Sequence, residues 1–198
     1  PRRKLDLAAR YGKELAVSTV DVLSGPMRPI AGPLEASYDE IMLAFDKLPT
    51  KDELQKDSRS DNFYVASRAR HLLKIIEAHG ELALTYPYPI QIWGFGELSW
   101  VFLGGEVVVD YSLRLKRNLG SSHTWVSAYC NDVMAYIPSL RVLEEGGYEG
   151  ATAMIYYGQP SRWSPEVEEA IVKTVAQQIK AVHPERPSAR ADRPQAAH

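Results

Sequence analysis

The chain has 198 residues, 45% hydrophobic and 24% charged, with 23 basic and 25 acidic side chains and a formal net charge of -2. That length buries a substantial core and the composition is close to a globular average, so one domain is the default expectation. Evenly mixed charge leaves no electrostatic footprint for nucleic acid or an anionic membrane surface. No run reaches the ~18 consecutive apolar residues of a membrane helix, and a single cysteine, Cys130, excludes an intrachain disulfide framework and any multi-cysteine metal site.

Taken in chain order, residues 4–23 carry Leu5, Ala8 and Leu15 at helical spacing, which predicts a helix stopped by "SGPMRPIAGP". Because this helix follows Pro1 almost at once, the chain reads as a fragment or a processed product. "LEASYDEIMLAF" mixes two signals and is read as extended. In "PTKDELQKD", Thr50 precedes Glu53 at capping-box spacing and predicts a short helix. "SDNFYVASRARHLLKIIEAHG" predicts a longer one, with Ser60 or Asp61 as cap, Leu72, Ile75 and Ile76 on the apolar side, and Gly80 past its end.

The texture then changes to short aromatic and β-branched runs. "YPYPIQIWGFG" and "ELSWVFLGG" predict a hairpin of two strands. "VVVDYSLRLKRNLG" predicts a helix that ends at Gly120, and "TWVSAYC" a strand whose partner is expected in "ATAMIYYG". In the last helix Ser164 is the expected cap and Pro165 the first helical residue, with Val167, Ile171, Val175 and Ile179 forming an apolar stripe. Residues 183–198 offer nothing apolar to bury and predict a disordered tail, leaving residues 1–182 for the folded part. The fold class expected is α/β, a mixed sheet with flanking helices.

A strand, helix and strand between residues 97 and 130 form the pattern of a parallel crossover, which brings the ends of both strands to one sheet edge. Ligands of open α/β sheets bind at that edge. Glu106 follows the first strand in "VFLGGEVVVD", and "CNDVMAY" follows the second. Gly104 and Gly105 permit close backbone approach, and the following helix would stabilise the carboxylate. The same glutamate also fits a purely structural role at a helix start, and Asn131 and Asp132 are ordinary turn formers. The five histidines form no HExxH pair, and no phosphate loop or nucleophile elbow is present. From the residues alone, the reading stops at a sheet edge with one acid and several tyrosines.

Three stretches in order, "LGGEVVVDYSLRLKR", "YCNDVMAYIPS" and "GGYEGATAMIYYG", resemble the C-terminal part of the zinc amidase domain of the neutral, alkaline or non-lysosomal ceramidases. "RRKLDLAARYGKELA" and "MRPIAGPLEASY" resemble the segments that precede them in bacterial ceramidase-like hydrolases. The resemblance implies that the chain is the C-terminal portion of a larger catalytic domain that hydrolyses an N-acyl sphingoid lipid. It implies Glu106 and Tyr136 as Zn2+ ligands, with two histidine ligands upstream, and Tyr148 as a second active-site tyrosine that orients or stabilises the reacting carbonyl. It also implies a ceramide-like lipid amide as substrate, a secreted or extracytoplasmic setting, and weak zinc binding without activity for the isolated chain. Two other readings stay open: a noncatalytic interaction module of the same fold, and a metal-dependent hydrolase with another substrate.

Overall fold

The computed structural model describes residues 4–183. The chain divides into two compact units, one up to Ala31 and one from Gly32 onwards. The first holds α1 (Leu5–Ser24), the helix expected from the apolar spacing, and none of its residues is buried. The Gly25 amide closes it by donating to Val22 O at 3.1 Å.

The second unit is mixed α/β, built on a mixed sheet flanked by helices, as the sequence predicts. Its strands are β1 (Leu34–Ala44), β2 (Thr85–Phe95), β3 (Leu98–Leu103) and β5 (Thr124–Ser127), in spatial order β1-β2-β3-β5. The first three are antiparallel neighbours, and β3 and β5 are parallel. Parallel neighbours need a crossover, here α4 (Val109–Leu119), which Gly120 ends at φ 98°. A second, two-stranded parallel sheet joins β4 (Glu106–Val107) to β6 (Tyr136–Ile137).

One sheet face is covered by helices. The stripe Val167, Ile171, Val175 and Ile179 of α7 (Val167–Val182) packs with Ile90, Ile92, Val101 and Leu103 of the sheet and with Tyr111 and Leu115 of α4. Each such aliphatic side chain contributes about 1.5–3 kcal/mol when fully buried. A smaller core lies under α2 (Lys51–Asp57) and α3 (Phe63–His79), centred on Leu54, Ala69, Leu72 and Leu82. The Thr50 and Glu53 capping box is formed: the Glu53 amide donates to Thr50 Oγ1 at 3.2 Å, and the Thr50 amide donates to Glu53 Oε2 at 2.7 Å.

Three expectations are corrected. Asn62, not Ser60 or Asp61, caps α3; its Oδ1 accepts from the Tyr64 amide at 3.0 Å, and the chain enters the helix one residue later than expected. Ser164 does not cap α7. Its amide donates to Ala44 O at 2.9 Å at the end of β1, Pro165 and Glu166 form a turn, and the helix starts at Val167. "ATAMIYYG" is no strand and does not pair with β5. Residues Thr152–Ile155 form a 3₁₀ turn that buries Ala153 and Met154, and Arg68 fixes the following carbonyls of Gln159 and Pro160. Tertiary anchoring overrides the strand propensity of Ile155, Tyr156 and Tyr157. The tail expected over residues 183–198 lies, beyond His183, outside the described residues.

Candidate functional site

The site is built where β3 and the parallel β5 end. After Leu103 the backbone turns through Gly104 and Gly105, the latter at φ 73°. A Cβ on Gly105 would lie 2.7 Å from Ile137 Cγ1 and 2.8 Å from Ala135 O, so both the conformation and the space demand glycine. The loop after β5 is laced onto this turn. The Tyr129 amide donates to Gly105 O at 2.9 Å and that of Cys130 to Leu103 O at 3.1 Å; in return the Gly105 amide donates to Asp132 O at 2.7 Å and that of Glu106 to Ala135 O at 2.8 Å. Two residues with side chains, Tyr129 at φ 59° and Asn131 at φ 66°, are held in the left-handed region to make this fit. Such conformations persist only where the surroundings over-determine them, and they cluster at functional sites.

This lacing sets Glu106 directly opposite Tyr136 across the β4–β6 pair. Tyr136 is fixed from behind, since its carbonyl accepts from Trp163 Nε1 at 2.8 Å. The Tyr157 hydroxyl donates to Glu106 Oε2 at 3.1 Å. The hydroxyls of Tyr129 and Tyr136 also approach the carboxylate and stabilise its charge. The ring of Tyr136 meets that of Tyr148 at 5.5 Å between centroids and that of Tyr157 at 6.4 Å. Tyr148 is 47% exposed.

The electrostatics follow from these contacts. Partial burial pushes the Glu106 carboxyl up, but the three phenolic donors outweigh it and hold the group below the usual carboxylate range. The reciprocal effect falls on the phenols. Tyr129 is pushed up to about 12, first by its bond to Glu106 and then by burial, and Tyr136 moves upward for the same reasons. Tyr157 is raised by burial first and by Glu106 second. The carboxylate is thus ionised and the surrounding tyrosines are neutral donors.

Glu106, Tyr136 and Tyr148, the three residues expected at the site, are therefore brought together, with Tyr148 joined through the Tyr136 ring and not through Glu106. Sequence reading missed Tyr129 and Tyr157. Tyr129 stands immediately before Cys130 in a stretch already singled out, whereas Tyr157 was hidden by the strand expected over "ATAMIYYG". Among the described residues no three His, Cys, Asp or Glu side chains converge as a metal site. His123 is engaged elsewhere, by Glu97 Oε2 at 3.0 Å and Ser122 Oγ at 2.6 Å. Glu106 and Tyr136 offer two neighbouring oxygen atoms.

No protein-family model and no curated protein match the chain. Solved structures similar to it include neutral ceramidase from Pseudomonas aeruginosa, with a TM-score of 0.48 at 14% identity over 83% of this chain and 31% of that one. A second, a ceramidase complexed with C2, gives a TM-score of 0.45 at 13% identity over 82% of this chain and 32% of that one. The chain thus spans about a third of the length of these two structures.

Proposed function

We propose that this chain contributes the oxygen-donor part of a zinc-dependent amide-hydrolysing site of the ceramidase type, acting on an N-acyl sphingoid lipid. In this reading Glu106 and Tyr136 are metal ligands, Tyr148 assists the reacting carbonyl, and imidazole ligands come from polypeptide outside the described residues. The observation that carries it is the register of β4 and β6, which sets a carboxylate opposite a phenol with a half-exposed phenol beside them. The quoted sequence stretches that resemble the ceramidases supply the substrate class.

A zinc ion held there would supply Lewis-acid polarisation of the amide carbonyl and a water that ionises near neutral pH. The chain's own residues have separate tasks. Glu106 is kept ionised by its tyrosines and is ready to bind a cation without first losing a proton. Tyr136 begins as a neutral donor to Glu106, and a nearby cation would make its phenol more acidic. Tyr148 donates its hydroxyl hydrogen to the carbonyl oxygen as negative charge develops there; removing one such donor typically costs about 3 kcal/mol of transition-state stabilisation.

The test has two parts. Equilibrium dialysis of the chain against Zn2+ with free imidazole, standing in for the absent ligands, should retain metal that Glu106→Gln loses. Equal zinc retention by that variant would remove Glu106 as a ligand. N-acyl sphingosine hydrolysis by a protein that joins this chain to the imidazole-bearing polypeptide should stop with chelator and slow about a hundredfold in Tyr148→Phe. Turnover that survives chelation would overturn the zinc reading.

A noncatalytic module is the second reading, favoured by one specific observation: the Glu106 carboxylate is already satisfied by tyrosines of its own chain. It predicts no zinc retention by the wild-type chain in the same dialysis.

A further inference from the structure

The second unit holds a cavity of about 540 Å³, within the size range of small-molecule sites, and no member of the Glu106 cluster lines it. Its walls are the loop after β1, helix α2, Arg68 of α3, and the 3₁₀ turn with the loop that follows. They are tied to one another. Ser161 Oγ donates to Lys47 O at 2.8 Å, the Asp46 amide donates to Arg162 O at 2.8 Å, and Arg68 Nε donates to Gln159 O at 2.6 Å. The charged side chains of the lining are four cations, Lys47, Lys56, Arg68 and Arg162, and two carboxylates, Glu53 and Asp57.

Sorting these groups by partner makes the cavity more one-sided. Arg162 is matched by Asp46 at 2.8 Å. Glu53 turns its Oε2 to the Thr50 amide at 2.7 Å and the Thr50 hydroxyl at 2.9 Å, inside the capping box. Among the described residues Lys47, Lys56 and Arg68 form no ion pair, and Asp57 alone is left to face them. Lys47 and Lys56 reach the cavity from exposed positions, but Arg68 is half-buried, and its guanidinium is bonded to the carbonyls of Gln159 and Pro160. Burial pushes this group down, and Asp57 offsets that only in part. A cation withdrawn from water without a carboxylate partner is unfavourable, and like charges around one cavity add to the cost.

We infer that this cavity binds the phosphate group of a small organic ester. The ligand is an anion because three cations from three different segments converge without ion-pair partners. A phosphate fits them better than a carboxylate does. The Nε and Nη2 of Arg68 are already spent on carbonyls, so a planar carboxylate cannot take that fork, whereas a phosphate offers three terminal oxygens and up to two charges to donors arranged around it. Lysine serves such a group as a point charge. Leu48, Met154 and Pro160 supply apolar wall for an organic body beside the phosphate. The inference does not depend on the zinc reading, because Glu106 and its tyrosines take no part in the cavity.

Isothermal titration of the full chain with phenyl phosphate, with chelator present so that no metal bridges the anion, tests the inference. The wild type should bind one equivalent saturably, and more tightly than it binds inorganic phosphate. Lys47→Gln and Lys56→Gln should each weaken binding about tenfold with unchanged far-UV circular dichroism. Lys51→Gln, on α2 but outside the lining, should leave it intact. Absence of saturable binding by the folded wild type would overturn the proposal, as would binding indifferent to both cavity variants. Equal affinity for inorganic phosphate would overturn the part assigned to the organic body.

Discussion

Glu106 and Asp110 stand four residues apart, and both carboxyls titrate below the usual range, yet for different reasons. Asp110 is held down first by the Arg141 guanidinium, 3.0 Å away, and then by the Ser139 hydroxyl at 2.5 Å. Its charge is cancelled by a cation. Glu106 is held down by neutral phenols, which stabilise the charge without removing it. Hydrogen-bond donors and counter-ions give the same direction of shift, but only the first leave a site that still attracts a cation. The comparison separates a carboxylate that clamps α4 to the α5 turn (Leu140–Glu145) from one suited to binding.

The sharpest way to break this contrast is to remove the turn that delivers Glu106. Gly105→Ala should destabilise the second unit by about 3 kcal/mol in chemical denaturation, because the new methyl meets Ile137 and the backbone resists a positive φ. Wild-type stability in that variant would mean that the lacing of the two loops is dispensable. Next in size, Asp110→Asn should cost about 1 kcal/mol through the weakened Ser139 and Arg141 contacts, while zinc retention in the dialysis assay is unaffected. Glu106→Gln should do the reverse, losing zinc with little change in the denaturation midpoint.

Stability against pH refines the same comparison. Both carboxyls are depressed in the folded state, so what they contribute is present above the unfolded carboxylate range and is lost as pH falls through their folded values. Each variant should therefore flatten a part of the acid limb. The phenols act oppositely. Tyr129 is raised to about 12, so its contribution is complete below the ordinary tyrosine range near 10 and disappears as pH rises towards 12. The smallest expected effect is in Tyr129→Phe: the alkaline limb should steepen less than in wild type, and Glu106 should titrate at a higher pH by carbon-detected NMR. An unchanged Glu106 titration would show that Tyr157 and Tyr136 alone hold the charge.

The elements legible in the sequence were those whose periodicity is paid for locally. The stripe of α7, the capping box of α2 and the strands separated by Gly96 need no distant partner to be recognised. The crossover between β3 and β5 was legible as well, and with it the edge that holds Glu106. The 3₁₀ turn at Thr152–Ile155 was not, because what decides its shape is remote: Arg68 on α3 binds the next carbonyls, and Tyr64 packs on Tyr156 at 4.7 Å between centroids. Tyr157 was missed as a donor to Glu106 for the same reason. Tyr129 was missed because its position depends on a left-handed backbone that side-chain bulk argues against. In both cases residues ordinary in sequence become partners of Glu106 only through contacts across loops.

The two-residue pairing of β4 with β6 carries a kinetic consequence. Parallel registration across the whole α4 and β5 segment closes a long loop for very few backbone bonds, so it gains nothing until the larger sheet is already in place. The Glu106 cluster is accordingly expected to form late in folding, and on local opening its amides should exchange with solvent before those of the β2–β3 hairpin.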